Sequence, residues 1–136
     1  MKRECLNCGS KEMAHTVKDV PYTYRGCTTI IPGVKGWHCA YCGDIEFDEG
    51  EGVRFAGAIK QFTMEIDARE ATELARIRKK LKLTQQEAAL LTGGGRNAFS
   101  RYERGKARPM QSVTNLFKLL DRHPHLLDEI RPECSQ

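Results

Sequence analysis

The sequence predicts a two-domain α+β fold, with a small β-rich N-terminal module that carries one helix and an all-α C-terminal domain of five helices. Charge divides the chain: residues 1–67 hold 8 Lys/Arg and 10 Asp/Glu (net −2), whereas residues 68–136 hold 14 and 8 (net +6). Five of the six cysteines lie in residues 1–67. Hydrophobic periodicity also changes from strand-like to helical near residue 51. We therefore predict two modules, residues 1–67 and 68–136, with different partners.

Composition sets the class of protein. The chain has 136 residues, of which 40% are hydrophobic and 29% charged, as is typical of soluble globular proteins. It contains no run of 18 apolar residues, and no apolar stretch follows its first five residues, so neither a membrane span nor a signal peptide is predicted. Six cysteines in a chain without a predicted secretory signal indicate a reducing compartment, where thiols bind metal or stay free, and we expect a cytoplasmic protein. A module of about 65 residues has a marginal core and often needs a metal to hold it together.

The strands and helices follow from the pattern of apolar residues. Residues 13–31 are rich in alternating β-branched and aromatic residues, punctuated at Arg25-Gly26 and Pro32-Gly33, which predicts antiparallel strands. Apolar residues then recur at helical spacing over residues 51–66, which predicts an amphipathic helix there. Thr84 and Glu87 form a predicted capping box at the start of one later helix. The predicted C-terminal helices cover residues 70–82, 84–91, 96–104, 111–122 and 125–130. No Pro or Gly lies between residues 63 and 69, so the domain boundary is weakly marked.

Four cysteines predict a metal site in the N-terminal module. Cys5 and Cys8 form one Cys-x2-Cys knuckle, and Cys39 and Cys42 form a second one 30 residues later. Each knuckle places two thiolates on one tight turn, and two facing turns complete a tetrahedron around Zn²⁺. A glycine follows each knuckle, where a turn favours positive φ. The predicted strands would return the chain to the first knuckle. The sequence thus predicts one zinc ion per chain, structural because four cysteines leave no open position.

Other uses of these cysteines remain open. Disulfides are possible, although the expected reducing compartment opposes them. A redox pair at one Cys-x2-Cys is less favoured, because no thioredoxin-like βαβ pattern surrounds it. His38 could replace one thiolate as a ligand. We assign no function to Cys27 or Cys134.

Residues 83–105 predict a helix-turn-helix. Ala89 is small where two helices would cross closely, Gly93 allows the turn, and Phe99 fills the core from the second helix. A helix with Phe99 and Tyr102 inward turns four polar side chains outward: Arg96, Asn97, Ser100 and Arg101. We expect this face to enter a DNA major groove, because Asn pairs bidentately with adenine and Arg with guanine.

Phosphate contacts are predicted around the same helices. Gln85 and Ser100 are suited to phosphate oxygens. Basic residues would flank the groove, namely Lys79, Lys80, Lys82, Arg104, Lys106 and Arg108. The alternatives are that Asn97 is a helix cap, that Arg101 and the lysines are merely solvated, and that Glu103 is structural and holds a nearby arginine.

The second module resembles the Cro/repressor-type (XRE) helix-turn-helix family, whose markers here are Leu83-Thr84-Gln85 and Ser100-Arg101-Tyr102-Glu103-Arg104-Gly105. Nearly the whole chain resembles the MqsA family of antitoxins from MqsR/MqsA toxin–antitoxin systems. The segments that carry this resemblance are both knuckles, residues 18–26, 78–81, 83–85, 93–103 and 123–131. The pairing of a four-cysteine module with this helix-turn-helix is more specific than either part alone.

The resemblance implies functions that spacing cannot show. Family members form homodimers through the C-terminal domain and bind a palindrome in their own operon promoter. Asn97 and Arg101 match the base-reading residues of the family. Arg96 stands where an apolar residue is expected, and residues 132–136 form an additional tail, expected to be disordered. The N-terminal module of the family holds zinc and inactivates the MqsR toxin, an mRNA-cleaving ribonuclease.

Three residues are candidate toxin contacts: Tyr22, Tyr24 and Arg25. A hairpin leaves an edge strand that another chain can extend, and aromatic and Arg side chains are common anchors in interfaces. The acidic module would also attract a basic ribonuclease. The alternative is that both tyrosines pack in the small core.

The sequence therefore favours a non-enzymatic bacterial antitoxin that represses its own operon. The main alternative is a stand-alone zinc-containing transcriptional regulator without a toxin partner. An enzyme is disfavoured because no catalytic triad, Cys/His pair or His-Glu-x2-His stands out. An RNA-binding zinc ribbon is disfavoured by the acidity of the first module.

Overall fold

A computed structural model describes residues 3–132 of the chain. The chain divides into two compact units, Met1–Met64 (unit 1) and Glu65–Gln136 (unit 2). Unit 1 is built on a three-stranded antiparallel sheet, and helices make up unit 2. The predicted α+β fold class is confirmed.

The sheet of unit 1 has the strand order β1-β2-β3. Strands β1 (Met13–Tyr24) and β2 (Cys27–Cys39) form a long hairpin that turns at Arg25-Gly26, as the sequence predicts. Met13 pairs with Cys39 at one end, and Tyr24 pairs with Cys27 at the other. The short strand β3 (Ile45–Phe47) pairs only with Gly36–His38 of β2. Strand β1 lies at the other edge of the sheet, where Arg3 makes an isolated bridge to Met13.

A bulge in the hairpin corrects the prediction that Pro32-Gly33 ends a strand. The register shifts between Lys18 and Val20, so that Asp19 alone lies opposite the Pro32-Gly33 dipeptide. The Asp19 Oδ1 atom accepts a hydrogen bond from the Gly33 N–H at 2.9 Å. A bulge accommodates a proline, which has no N–H to donate, and the strand continues beyond it.

Helix α1 (Glu51–Lys80) is a single 30-residue helix, which corrects the prediction of separate helices at residues 51–66 and 70–82. No Pro or Gly lies between residues 63 and 69, so nothing in the sequence terminates it there. Helix α1 starts in unit 1, where Arg54 and Glu51 join it to β2: the Arg54 Nη2 atom donates to the Gly33 carbonyl, and Glu51 accepts from the Lys35 N–H.

Four further helices complete unit 2: α2 (Gln85–Thr92), α3 (Ala98–Glu103), α4 (Gln111–Arg122) and α5 (Leu127–Ile130). A 3-10 turn, Pro124–Leu126, precedes α5, so the predicted helix at 125–130 is only partly α-helical. The rings of Phe99 and Phe117 meet at 5.1 Å in the centre of the core. The buried core residues are Leu74, Ile77, Leu81, Leu83, Ala88, Ala89, Phe99, Phe117, Leu120 and Leu127.

Two sequence predictions involve residues outside the described range. Cys134 and most of the predicted tail at residues 132–136 lie there, and Pro132 is the last described residue. Among the helices of residues 3–132, none combines the length and the apolar character that crossing a membrane would require.

Candidate metal centre and nucleic-acid interface

The two cysteine knuckles of unit 1 have the same backbone geometry. The Gly9 N–H donates to the Cys5 carbonyl at 2.9 Å, and the Gly43 N–H donates to the Cys39 carbonyl at 3.1 Å. Both glycines have positive φ, 76° and 78°. This left-handed conformation strains any residue with a Cβ, so glycine is the favoured residue after each knuckle.

The hairpin brings the knuckles together, because it pairs Met13, near the first knuckle, with Cys39 of the second. The four sulfur atoms of Cys5, Cys8, Cys39 and Cys42 lie within 4.8 Å of one another. The Cys5–Cys42 and Cys8–Cys39 sulfur pairs are each 3.6 Å apart. A tetrahedral Zn–S bond of about 2.3 Å requires an S···S separation of about 3.8 Å. The four cysteines therefore could hold one metal ion.

The chemistry of the four thiols also fits a cation. The Cys42 N–H lowers the pKa of the Cys39 thiol to about 6, and the Asn7 amide lowers the pKa of the Cys42 thiol. The Ser10 N–H favours a thiolate at Cys8 too, but desolvation and the neighbouring sulfurs outweigh it and raise the pKa of Cys8 to about 12. Without a cation, the sulfurs cannot all ionise together. At 3.6 Å the pairs are also far beyond the disulfide bond length of about 2.05 Å.

The helix-turn-helix of unit 2 is formed by α2 and α3. The predicted capping box is present: Thr84 Oγ1 accepts from the Glu87 N–H at 3.0 Å, and a Glu87 carboxylate oxygen accepts from the Thr84 N–H at 3.1 Å. Gly93 ends α2 with φ 75°. A Cβ at Gly94 would lie 3.1 Å from the Ala98 Cβ, so the turn passes close to the start of α3.

Helix α3 begins at Ala98, two residues later than predicted, so Arg96 lies in the turn before it and Asn97 at its N-cap. Phe99 is fully buried, whereas Arg96, Asn97 and Arg101 are exposed and Ser100 is half-buried. Asn97 occupies the N-cap position of α3, but its side chain makes no capping hydrogen bond. The arrangement leaves the Asn97 amide available to a ligand such as a base edge.

Some of the predicted phosphate contacts already make side-chain hydrogen bonds within the chain, and others do not. The Gln85 amide donates to Glu103 at 3.4 Å, and Lys80 Nζ donates to the carbonyl and the carboxylate of Asp121 at 2.7 and 2.8 Å. Lys79 is exposed, and within residues 3–132 its ammonium group makes no ion pair. Lys79 would therefore lose no ion pair on meeting a phosphate, whereas Lys80 and Gln85 would have to give up the bonds that they make.

Arg78 was not singled out from the sequence as a site residue, although the structure joins it to the helix-turn-helix. Its guanidinium donates to both carboxylate oxygens of Glu103, at 2.7 and 3.0 Å, and to the Leu83 carbonyl at 2.8 Å. The Arg78 and Glu103 side chains are only 12% and 10% exposed. Glu103 thus has the structural role considered from the sequence. The sequence feature that could have identified Arg78 is its charge, since it lies on the same face of α1 as the buried Leu74 and Ile77.

The candidate toxin contacts lie at the turn end of the hairpin, opposite the cysteine knuckles. Tyr22, Tyr24 and Arg25 are all half-buried. Tyr22 packs edge-to-face on Phe62 of α1, with ring centroids 6.3 Å apart. Tyr22 therefore contributes to the packing of unit 1 as well as to its surface.

The chain is similar in sequence to known antitoxins. The family model described as the antitoxin component of bacterial toxin–antitoxin systems, MqsA, matches residues 1–131. Antitoxin MqsA of Escherichia coli (strain K12) is 42% identical over 130 residues, which cover 94% of this chain and 99% of that protein. The solved N-terminal domain of the E. coli protein MqsA matches 48% of this chain and 98% of that chain, at 32% identity and a TM-score of 0.43. Because the family model spans nearly the whole chain, the chain belongs to the MqsA family of antitoxins.

Proposed function

We propose that this chain is a non-enzymatic, cytoplasmic bacterial antitoxin with two binding surfaces. Unit 1 binds and neutralises an MqsR-like mRNA-cleaving toxin. Unit 2 binds a palindromic operator as a homodimer and represses transcription of the chain's own operon. The observation that carries the proposal is the presence, in one chain, of a four-thiol centre and a helix-turn-helix with Asn97 and Arg101 exposed.

Unit 1 holds one structural Zn²⁺ through Cys5, Cys8, Cys39 and Cys42 in this proposal. Four thiolates at tetrahedral separations suit zinc and leave no position for water, so the ion would stabilise the fold without taking part in chemistry. The buried cluster of Cys5, Met13 and Cys39 is small, and metal binding would supply much of the folding free energy. Metal analysis of the reduced chain should give one zinc per chain. Cys39→Ser should lose it, whereas Cys27→Ser should keep it.

The hairpin supports the assignment of the toxin to unit 1. Strand β1 is an edge strand, and β3 covers only Gly36–His38 of β2, so the turn half of the hairpin has no further strand beside it in the described chain. Unpaired strand edges can accept a strand from another protein through main-chain hydrogen bonds. Tyr24 and Arg25 lie at this end and would anchor the contact.

Toxin neutralisation is tested with the full chain and the cognate toxin. The full chain should inhibit RNA cleavage stoichiometrically. Tyr24→Ala and Arg25→Ala should weaken inhibition, while Lys60→Ala, an exposed residue of α1, should not. Inhibition that is retained by residues 65–136 alone would refute the assignment of the toxin to unit 1.

Operator binding rests on exposed Arg101 of α3 and on exposed Asn97 at the N-cap of that helix. A dimer would place two recognition helices in successive major grooves, so half-sites should lie about one helical turn apart. Asn97→Ala and Arg101→Ala should each cost roughly 1–3 kcal/mol and relax specificity at one base position. Asn115→Ala, an exposed asparagine of α4, is the matched control. If Asn97→Ala leaves the ratio of operator to random-DNA affinity unchanged, Asn97 does not read a base.

A further inference from the structure

The turn between α2 and α3 carries an arginine whose side chain has no partner within the described residues. Arg96 is exposed, and its guanidinium makes no hydrogen bond or ion pair in the described part of the chain. Two other arginines of unit 2 differ: Arg104 donates to the Ser100 carbonyl at 3.1 Å, and Arg78 donates to the Glu103 carboxylate. The five N–H donors of Arg96 are therefore available to a ligand.

The backbone of Arg96 is held in place even though three glycines precede it. The Ala98 N–H donates to the Gly95 carbonyl at 2.9 Å, so Arg96 and Asn97 are the central residues of a tight turn that leads directly into α3. Asn97 has φ −98° and ψ 7°, as in the third residue of a type I turn. Both side chains therefore project from a backbone that is already ordered, which lowers the cost of binding.

No carboxylate close in sequence competes for the Arg96 guanidinium. No Asp or Glu lies between Glu87 and Glu103. The Glu103 carboxylate accepts from Arg78, and the Glu87 carboxylate accepts from the Thr84 N–H. Arg96 is thus a cation that is open to an external acceptor. On DNA, that acceptor is either a phosphate oxygen or the O6 and N7 atoms of guanine.

The position of Arg96 favours a base edge over a phosphate. In a helix-turn-helix, the first residues of the recognition helix approach the base edges in the major groove. Arg96 and Asn97 come directly before α3, whereas Arg101 lies one helical turn further on. Successive Cα atoms are about 3.8 Å apart and stacked bases about 3.4 Å. Arg96 therefore reaches the base pair beside the one that Asn97 reads, on the side away from Arg101.

We propose that Arg96 is a specificity-determining residue that reads a guanine in the base pair next to the one read by Asn97, through two N–H bonds to its O6 and N7 atoms. The inference deepens the proposed function and rests on its claim that unit 2 reads an operator through Asn97 and Arg101. It adds a requirement: each half-site carries a G·C pair at this position, and this chain discriminates against operators that lack it.

The test is a selection from DNA duplexes with a randomised segment, which measures the base preference of the full chain at every position. The wild type should enrich a half-site in which a G·C pair adjoins the A·T pair read by Asn97. Replacing this G·C pair should weaken binding by roughly 5- to 150-fold. In Arg96→Ala this penalty should disappear, whereas the preference for the adjoining A·T pair should remain.

A second substitution should change the preference and not merely remove it. Arg96→Gln should select A·T in place of G·C at the same position, because glutamine pairs bidentately with adenine. Arg122→Ala, which changes an exposed arginine of α4, is the matched control and should leave every base preference unchanged. Circular dichroism should show that all three variants keep their helices, since Arg96 makes no internal side-chain bond in the described chain.

The outcomes separate this inference from the proposed function. If Arg96→Ala weakens binding to all duplexes alike and lowers the salt slope by about 0.9, Arg96 contacts a phosphate and the inference is overturned. It is also overturned if Asn97→Ala loses the preference at one position and Arg96→Ala loses none. A wild-type chain that enriches no sequence overturns the operator binding of the proposed function together with the inference.

Discussion

Removing Arg78 should destabilise unit 2 more than any change at an exposed ion pair. In Arg78→Met, the Glu103 carboxylate loses both bonds from the guanidinium and keeps only the 3.4 Å contact with the Gln85 amide. The Leu83 carbonyl loses its partner as well. Both charged side chains are about nine-tenths buried, so water cannot replace the lost bonds. Leaving a buried charge without its partner costs about 3–5 kcal/mol.

Urea unfolding followed by far-ultraviolet circular dichroism measures this cost, since unit 2 is helical. Glu103→Gln should be destabilising to a similar degree. The double variant Arg78→Met/Glu103→Gln should cost less than the two single changes together, with a coupling energy of about 2 kcal/mol or more. The control is Glu73→Gln, which breaks the ion pair with Arg76 where the side chains are 49% and 47% exposed. It should change stability by less than about 1 kcal/mol. Equal effects of Arg78→Met and Glu73→Gln would refute the reasoning from burial.

Three further predictions concern the backbone and pH. Gly36→Ala should lower the free energy of unfolding by about 3 kcal/mol and separate β3 from β2, because the new Cβ would lie 2.3 Å from the Glu46 carbonyl oxygen. Faster hydrogen exchange of the β3 amides would measure that separation. Gly93→Ala should cost about 1 kcal/mol in thermal unfolding because φ is 75°, whereas Gly95→Ala, with open space around it, should be neutral. The Arg54 guanidinium and the Lys35 N–H lower the pKa of Glu51 from 4.5 to about 2. Glu51 therefore stabilises unit 1 fully above about pH 4.5, and this contribution is lost as the pH falls to about 2. Glu51→Gln should remove that part of the acid sensitivity in a pH titration of unfolding.

The features that the sequence predicts correctly are those that depend on residues close together in the chain. The capping box at Thr84 and the Arg25-Gly26 turn depend on residues a few positions apart, and the structure has both. The prediction that strands return Cys39 to the first knuckle also holds, because the hairpin follows from that turn and from alternation on either side of it. Turn residues and the periodicity of apolar residues can be recognised in a single sequence, because the residues that interact lie close together in it.

Features that depend on distant partners were missed. Strand β3 has only three residues, and its pairing with Gly36–His38 is not encoded in its own short sequence. The bulge at Asp19 allowed β2 to pass through Pro32-Gly33, where a local rule places a strand end. The continuity of α1 was missed for the opposite reason: the change in charge near Asp67 indicated a boundary, but charge does not terminate a helix.

The same distinction between local and distant partners applies to the cations of unit 2. Composition counts Lys79 and Lys80 alike, yet Lys80 donates to two oxygens of Asp121 and Lys79 makes no ion pair within residues 3–132. A phosphate would have to replace the bonds of Lys80, and the same holds for Gln85, whose amide contacts Glu103. Counterion release follows the charges that a phosphate actually neutralises, about 0.9 in salt slope for each contact. Lys79→Ala should therefore lower the salt slope of DNA binding by about 0.9, and Lys80→Ala by less. Equal slopes for the two variants would show that the bonds to Asp121 are given up on DNA.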